Sequence, residues 1–315
     1  MTDEIFVGVD GGASTIRVAA INIEGEVIKE LSRPVGANYR VDGLVLVQQR
    51  LEEAVAALFN LPEIAVASSR GVVFGLAGCH FASDTAHVQT VLRQSYILKD
   101  RGRVTVLADS RLGLRSGTDD GCGLVLISGT GSACFGRKMT DQEALAGGVD
   151  YILSDEGSGY DIGLRALRAV TQGCDGRGGE TVLQQVIFGH LGVHTFEQFA
   201  ASVQEHYIHK PDIAFLASLV VQAAQNEDIV ACDILIHAAN DLVQMVEAVL
   251  DKLSWRNEPV KIVQMGSVLE HSQFLRSRVV EELKHKAPLA RLVHPSMSPA
   301  VAGAFLAQSL DVPQT

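Results

Sequence analysis

Near the start of the chain, Asp10-Gly11-Gly12-Ala13-Ser14-Thr15 combines the ingredients of a phosphate-binding turn. Glycine lets the backbone turn tightly and approach an anion. The hydroxyls of Ser14 and Thr15 can donate to phosphate oxygens, and the Asp10 carboxylate closes an apolar run where it could orient a hydrated Mg²⁺. The same Asp-Gly composition also builds an ordinary hairpin turn. Ser128-Gly129-Thr130-Gly131-Ser132 repeats the chemistry, with three hydroxyls and two glycines after a second apolar run. This second segment is not a Walker loop, because GxxxxGK(S/T) is absent, and it is not a dinucleotide fingerprint, because no GxGxxG opens a helix there. Two such turns together are more informative than one, since a phosphate chain held between them receives donors from both sides.

Carboxylates supply the remaining chemistry. Asp109 follows the apolar run ending at Leu107, and ligands of α/β sheets gather at the carboxyl ends of strands. A carboxylate there can accept the proton of an attacking hydroxyl in phosphoryl transfer, or it can simply cap the next helix. Gly147-Gly148-Val149-Asp150 and Asp155-Glu156-Gly157-Ser158-Gly159 are dense in acid and glycine. Carboxylates suit the paired hydroxyls of a sugar, and glycine leaves room for its ring. Alternatively, Asp155 and Ser158 cap the helix that follows, and both readings can hold at once. Gly266-Ser267 would let an adenine ring lie against bare backbone.

The elements that must position these residues read as α/β. Strands are predicted over 5–9, 17–23, 72–76, 104–107, 124–127, 133–136 and 260–265. Leu44, Val47, Leu51, Val55 and Leu58 fall on one helical face. Further helices are predicted over 161–170, 216–225, 241–253 and 299–310. Repetition of the strand, glycine turn, strand unit suggests a duplicated two-domain architecture. The expected domains are 1–117 and 118–315, with the final helix able to return to the first lobe. At 315 residues, with 47% apolar, the chain has material for two cores.

The net charge of −11 offers no positive face to nucleic acid or an anionic membrane. Five cysteines without CxxC spacing suggest reduced thiols. The acidic start MTDEIFVGVD is unlike a signal peptide, and no apolar stretch is read as reaching spanning length, so a cytoplasmic, soluble protein is expected.

With these segments in place, VGVDGG at 7–12, LISGTGS at 126–132 and SDEGSG at 154–159 make the chain resemble the BadF/BadG/BcrA/BcrD ATPase family. The resemblance is to its sugar-kinase branch, near N-acetylglucosamine and bacterial glucosamine kinases. It covers nearly the whole chain in the family's order. It implies an actin, Hsp70 and hexokinase-like (ribonuclease H-like) fold, with a cleft between duplicated lobes. It also implies ATP and Mg²⁺ as cofactors, an amino-sugar substrate and a homodimer. Carried over position by position, Asp10, Gly11, Gly12, Ser14 and Thr15 match the first phosphate loop, with Asp10 reaching the metal through water. Ala13 stands where a third glycine is usual. Thr130 and Gly131 match the second loop, with Ser132 at its sugar-facing end. Asp109 falls on the catalytic base, Asn38 on an asparagine contacting the sugar, and Asp155 on a carboxylate binding its hydroxyls. Gly266, Ser267 and Ala224 would border the adenosine.

One departure concerns specificity. N-acetylglucosamine kinases commonly carry GGWG where this chain has Gly147-Gly148-Val149-Asp150. An aromatic wall is missing beside Gly148 and Val149, and Asp150 adds charge. If Asp150 or Asp155 faces the C2 substituent, a free ammonium is welcome there, so glucosamine competes with N-acetylglucosamine as the expected substrate. Two other classes are weighed: an ATPase driving a partner enzyme, and a sugar-sensing regulator. The first needs a cluster-binding cysteine motif, which the sequence lacks. The second would lack chemistry, contrary to an intact Asp109, and no DNA-reading module precedes Ile5.

Overall fold

A computed structural model describes residues 4–65, 67–205 and 209–311. Its contacts divide into two units, one formed by residues 1–123 with 294–315 and the other by Leu124–Val293. The first unit contains β1 (Glu4–Gly11), β2 (Ile16–Asn22), β3 (Val27–Arg33), α1 (Tyr39–Asp42), α2 (Leu44–Phe59), β4 (Ser68–Leu76), α3 (Ala82–Arg93), β5 (Arg103–Ala108) and α4 (Asp109–Gly117). The second is built from β6 (Gly123–Ser128), β7 (Ser132–Arg137), β8 (Glu143–Gly147), α5 (Gly159–Cys174), α6 (Leu183–Leu191), α7 (Phe196–Glu205), α8 (Lys210–Gln225), α9 (Ile229–Lys252), β9 (Val260–Met265), α10 (Ser267–His271), α11 (Gln273–Lys286) and β10 (Ala290–Val293). The last helix, α12 (Pro299–Asp311), belongs to the first unit.

The two sheets have one topology. The first runs β3-β2-β1-β4-β5 and the second, read from the other edge, β8-β7-β6-β9-β10. In the first, β1 and β2 pair antiparallel, as do β2 and β3, whereas β1, β4 and β5 run parallel. In the second, β7 and β8 are antiparallel and β6, β9 and β10 parallel. Each phosphate-type turn therefore joins the sheet's central strand to its hairpin partner.

β1 reads as a continuous apolar run because both of its faces are covered. Ile5, Val7 and Val9 enter a core with Leu51 and Leu58 of α2, while Phe6 packs with Leu112 of α4 and Ala304 of α12. Gly8 lies on that second face, where a Cβ would stand 2.0 Å from the Ala300 carbonyl. The small-residue helix α12 can approach the strand so closely only because both partners lack bulk. Each fully buried Leu or Ile contributes about 1.5–3 kcal/mol.

Several helices start earlier than the apolar spacing predicts, because their caps set the boundary. Ser158 accepts from the Asp161 amide at 3.2 Å and starts α5 at Gly159. Asp228 accepts from the Ala231 amide at 2.8 Å and starts α9 at Ile229, and Pro211 in the first turn opens α8. One expectation is corrected. α9 is 24 residues long and holds an 18-residue window of mean hydropathy 1.5, long and apolar enough to cross a membrane by length and composition. Its Leu235, Ala238, Leu242, Val246 and Val249 are instead buried in the core of the second unit. Its apolar stripe serves packing.

Candidate active site

In the first unit, three chain segments are stitched together by backbone hydrogen bonds. The Ala77 amide donates to Gly11 O at 2.9 Å, the Ala37 amide to Gly12 O at 2.9 Å, and the Gly12 amide to Thr15 O at 3.0 Å. The turn after β1, the segment 36–38 and the end of β4 thus form one cluster. Gly36 is required by close approach, since a Cβ there would lie 2.1 Å from Ala13 O. Asn38 sits beside Gly78, where a Cβ would stand 2.4 Å from Asn38 Oδ1. That same oxygen accepts from the Arg40 amide at 3.1 Å. Ser14 is exposed at the turn and Thr15 half-buried.

Asp10 lies within β1 and is 7% exposed. Arg17, its register partner on β2, donates to Asp10 Oδ2 at 3.3 Å. Burial, then the neighbouring Asp109, push the Asp10 carboxyl up to about 7, against the opposing effect of Arg17. Asp109 is the first residue of α4, with Ala108 as the N-cap. Its role as an N-cap is therefore excluded. Asp109 Oδ1 accepts from the Ser110 amide at 2.8 Å. Burial raises its carboxyl, while the charge of His80 and the Ser110 N–H oppose the rise. A carboxyl whose pKa is raised is better matched to taking up a hydroxyl proton than an ordinary one.

A buried, incompletely offset carboxylate beside a second one fits a hydrated Mg²⁺. Among the described residues no group of three or more His, Cys, Asp or Glu side chains forms a metal cage. Such an ion would therefore need phosphate oxygens and water to complete its coordination. Mg²⁺ usually binds in that way, through one or two carboxylates plus substrate phosphates.

The second unit carries the other cluster. The Gly159 amide donates to Gly129 O at 2.7 Å, and the Gly129 amide to Gly131 O at 2.9 Å, folding 129–131 against the start of α5. Gly266, at φ +93°, has room for no side chain, because a Cβ would lie 2.4 Å from Ser128 O. Gly266-Ser267 therefore borders the 129–131 turn directly. Thr130 and Gly131 are half-buried at that turn, and Ser267 is exposed beside it.

Asp155 is 4% exposed and accepts from the Ser132 amide at 3.0 Å and from Lys210 Nζ at 2.6 Å. Of the two residues proposed as helix caps, only Ser158 caps α5. Asp155 holds φ +74°, a conformation costing a non-glycine residue about 1–2 kcal/mol. Its environment fixes it rather than its propensity. The Ser132 hydroxyl donates to Glu156 O at 2.6 Å.

Asp150 is exposed and caps a short surface turn, with Oδ1 accepting from the Ile152 amide at 3.1 Å. The Val149 amide donates to Ser154 Oγ at 3.0 Å, leaving the side chain 45% exposed, and Gly148 holds φ +74°. Ala224, expected to border adenosine, is 4% exposed and packs in the core with Val220 and Ala223. Its methyl faces protein.

Three groups escape a reading of the sequence. Lys210 pairs with Asp155 across 55 positions of sequence, a separation that no local pattern reports. The second is a network anchoring the Asn38 turn: Arg40 Nη2 and Tyr39 Oη donate to Asp84 Oδ1 at 2.6 and 2.8 Å, and Arg40 Nε donates to Gly78 O at 2.9 Å. Burial would raise the Asp84 carboxyl, but Arg40, the Phe81 amide and Tyr39 together hold it below its ordinary value. The third is His80, whose charge acts on Asp109. Between His80 and Gly78, Cys79 is pushed up to about 12, first by burial and then by Asp84 and Asp109. Its thiol is therefore unreactive.

The fold is of the actin-like class, with a glycine turn after the central strand of each of two sheets of one topology. The model of the BadF/BadG/BcrA/BcrD ATPase family matches residues 7–307, and the chain belongs to that family. It is 28% identical over 306 residues to an N-acetylmuramic acid/N-acetylglucosamine kinase of Clostridium acetobutylicum, covering 96% of this chain and 98% of that one. It is 26% identical over 282 residues to a glucosamine kinase of Vibrio cholerae, covering 88% and 89%. A Chromobacterium violaceum protein, crystallised as a candidate N-acetylglucosamine kinase, superposes with a TM-score of 0.78 at 22% identity over 97% of this chain and 99% of its own.

Proposed function

We propose that the protein is an ATP-dependent amino-sugar kinase, acting in the cytoplasm, that transfers the γ-phosphoryl group of ATP to the 6-hydroxyl of N-acetylglucosamine or glucosamine. The observation that carries this reading is the first-unit cluster: a buried carboxylate, Asp10, and a half-buried one, Asp109, beside a glycine turn with hydroxyls and the Asn38 segment. The family and the kinase relatives support it from outside the geometry.

In this reading Asp109 accepts the proton of the sugar hydroxyl as its oxygen bonds the γ-phosphorus. The bond from that phosphorus to the bridging oxygen breaks, and ADP leaves. The backbone amides and hydroxyls of 11–15 and 129–131 bind and orient the phosphates, and Asn38 and Asp155 hold the sugar's hydroxyls. Gly266-Ser267 lies against the adenosine. Mg²⁺, held by Asp10 through water, would neutralise charge on the transferring phosphoryl. Phosphoryl transfer depends mainly on such positioning and charge stabilisation.

Release of ADP, measured with MgATP and each of glucosamine, N-acetylglucosamine, N-acetylmannosamine and glucose, tests the assignment. Strong stimulation by a 2-amino or 2-acetamido sugar is expected. Equal ADP release with and without every sugar would overturn it.

A further inference from the structure

The side chain that holds Asp155 has a consequence for substrate charge. The expectation from sequence was that an acid near the sugar's C2 would welcome an ammonium group. In the structure the Asp155 charge is already occupied: Lys210 Nζ lies 2.6 Å from Oδ2, and the Ser132 amide 3.0 Å from Oδ1. Gly131 closes over the same carboxylate, where a Cβ would lie 2.8 Å from Oδ1.

Lys210 is not placed there by its own helix. It is the first residue of α8, and a cation at a helix N-terminus opposes the helix dipole. Two interactions compensate. One is the ion pair with Asp155, and the other is the ring of Tyr151, whose centroid lies 5.3 Å from Nζ. Tyr151 is in turn set edge-on against Tyr160 with centroids 5.0 Å apart. The ammonium is thus fixed between a carboxylate and an aromatic face, with the side chain one-quarter exposed. Asp150 and Glu156, the acids flanking this stretch, are exposed and therefore screened by water and salt. Arg168 acts on Tyr160 from α5 and adds positive charge.

We propose that Lys210 is a specificity-determining residue: by neutralising Asp155 it makes the sugar site favour an uncharged C2 substituent and disfavour a free ammonium. This rests on the reading in which Asp155 meets the sugar. A cationic amine arriving at the Asp155–Lys210 pair meets no uncompensated negative charge and an adjacent like charge, whereas a hydroxyl or acetamido group meets neither penalty. Removing the lysine charge leaves a buried carboxylate that would attract the ammonium instead.

The test compares kcat/KM for glucosamine, N-acetylglucosamine and glucose, at a pH where the sugar amine is protonated, in wild type, Lys210→Gln and Lys210→Arg. Wild type should use both uncharged sugars better than glucosamine. Lys210→Gln should move the N-acetylglucosamine to glucosamine ratio toward glucosamine by tenfold or more, equivalent to 1.4 kcal/mol. The ratio between N-acetylglucosamine and glucose should stay within about twofold, a tolerance well inside the tenfold step. Lys210→Arg should restore the wild-type ratio. A purely structural lysine would instead lower all three sugars together, and that result overturns the inference. So does a wild-type preference for glucosamine, a measurement that needs no variant to fold. Turnover with an unmoved ratio refutes the role of Lys210 alone, whereas no sugar-stimulated ADP release with any of the three refutes the kinase reading and this inference with it.

Discussion

The two units share a strand order but treat the end of the central strand in opposite ways. In the first, β1 carries the buried carboxylate Asp10, raised to about 7 and coupled to Asp109 at the start of α4. In the second, β6 ends in Ser128, whose hydroxyl is fully buried and donates to Gly157 O at 2.7 Å. The polar group is a buried carboxyl that holds its proton well above the usual range in one sheet, and a satisfied hydroxyl in the other. The parallel edge repeats the contrast: β5 is followed by Asp109, whereas β10 is followed by His294 and Pro295. Duplication supplied two similar scaffolds. Under the proposed reaction, proton and metal chemistry belong to the first and adenosine to the second, while the grip on phosphate and sugar is shared.

That division predicts unequal effects of substitution. The largest is expected at Asp109: Asp109→Asn should lower kcat by about 10²–10⁴-fold, the range for a positioned general base, with ATP affinity nearly unchanged by calorimetry. Next comes Gly266→Ala. Its Cβ would meet Ser128 O at 2.4 Å in a backbone at φ +93°, so a loss of at least about 1–3 kcal/mol is expected in thermal or denaturant unfolding.

Asp10 comes third. Its native carboxyl keeps a proton up to about pH 7, whereas in the unfolded chain it is ionised above about pH 4. The native state therefore binds more protons across that window, and stability of the nucleotide-free protein should fall as pH rises through it. The fall attributable to Asp10 is up to about 1.4 kcal/mol per pH unit. Asp10→Asn should flatten that slope in melts taken across the window. An unchanged slope would mean that Asp10 is not the buried proton site. The smallest effect is expected for Ser128→Ala, about 1–2 kcal/mol of stability from leaving the Gly157 carbonyl unpaired, with a lesser change in turnover per folded molecule. A loss of turnover as deep as that of Asp109→Asn would erase the contrast between the units.

Much of this was legible in the sequence, for local reasons. The strand, glycine turn, strand units are short-range patterns, so both turns and their repetition could be read directly, as could the α2 face at Val47, Leu51, Val55 and Leu58. Asp109 was readable because it follows its strand immediately. What escaped was long-range or set by single hydrogen bonds. Lys210 lies 55 residues from Asp155, and Arg40 and Tyr39 meet Asp84 more than 40 residues away. The apolar spacing placed α8 over 216–225 and so gave neither its start at Lys210 nor what that ammonium would reach. Ala224 lies in the core of the second unit, where a small side chain suits a packed helix interface as well as a ligand wall. Asp155 and Ser158 looked alike as caps, and the structure separates them by the Asp161 amide that Ser158 accepts and by the φ of +74° at Asp155.

The most direct test follows phosphorus itself. ³¹P NMR of wild type with MgATP and N-acetylglucosamine should show a sugar 6-phosphate resonance growing in step with ADP, and Asp109→Asn should abolish it. Growth of inorganic phosphate in place of the sugar ester would contradict the kinase assignment, because water rather than a sugar hydroxyl would then be the acceptor.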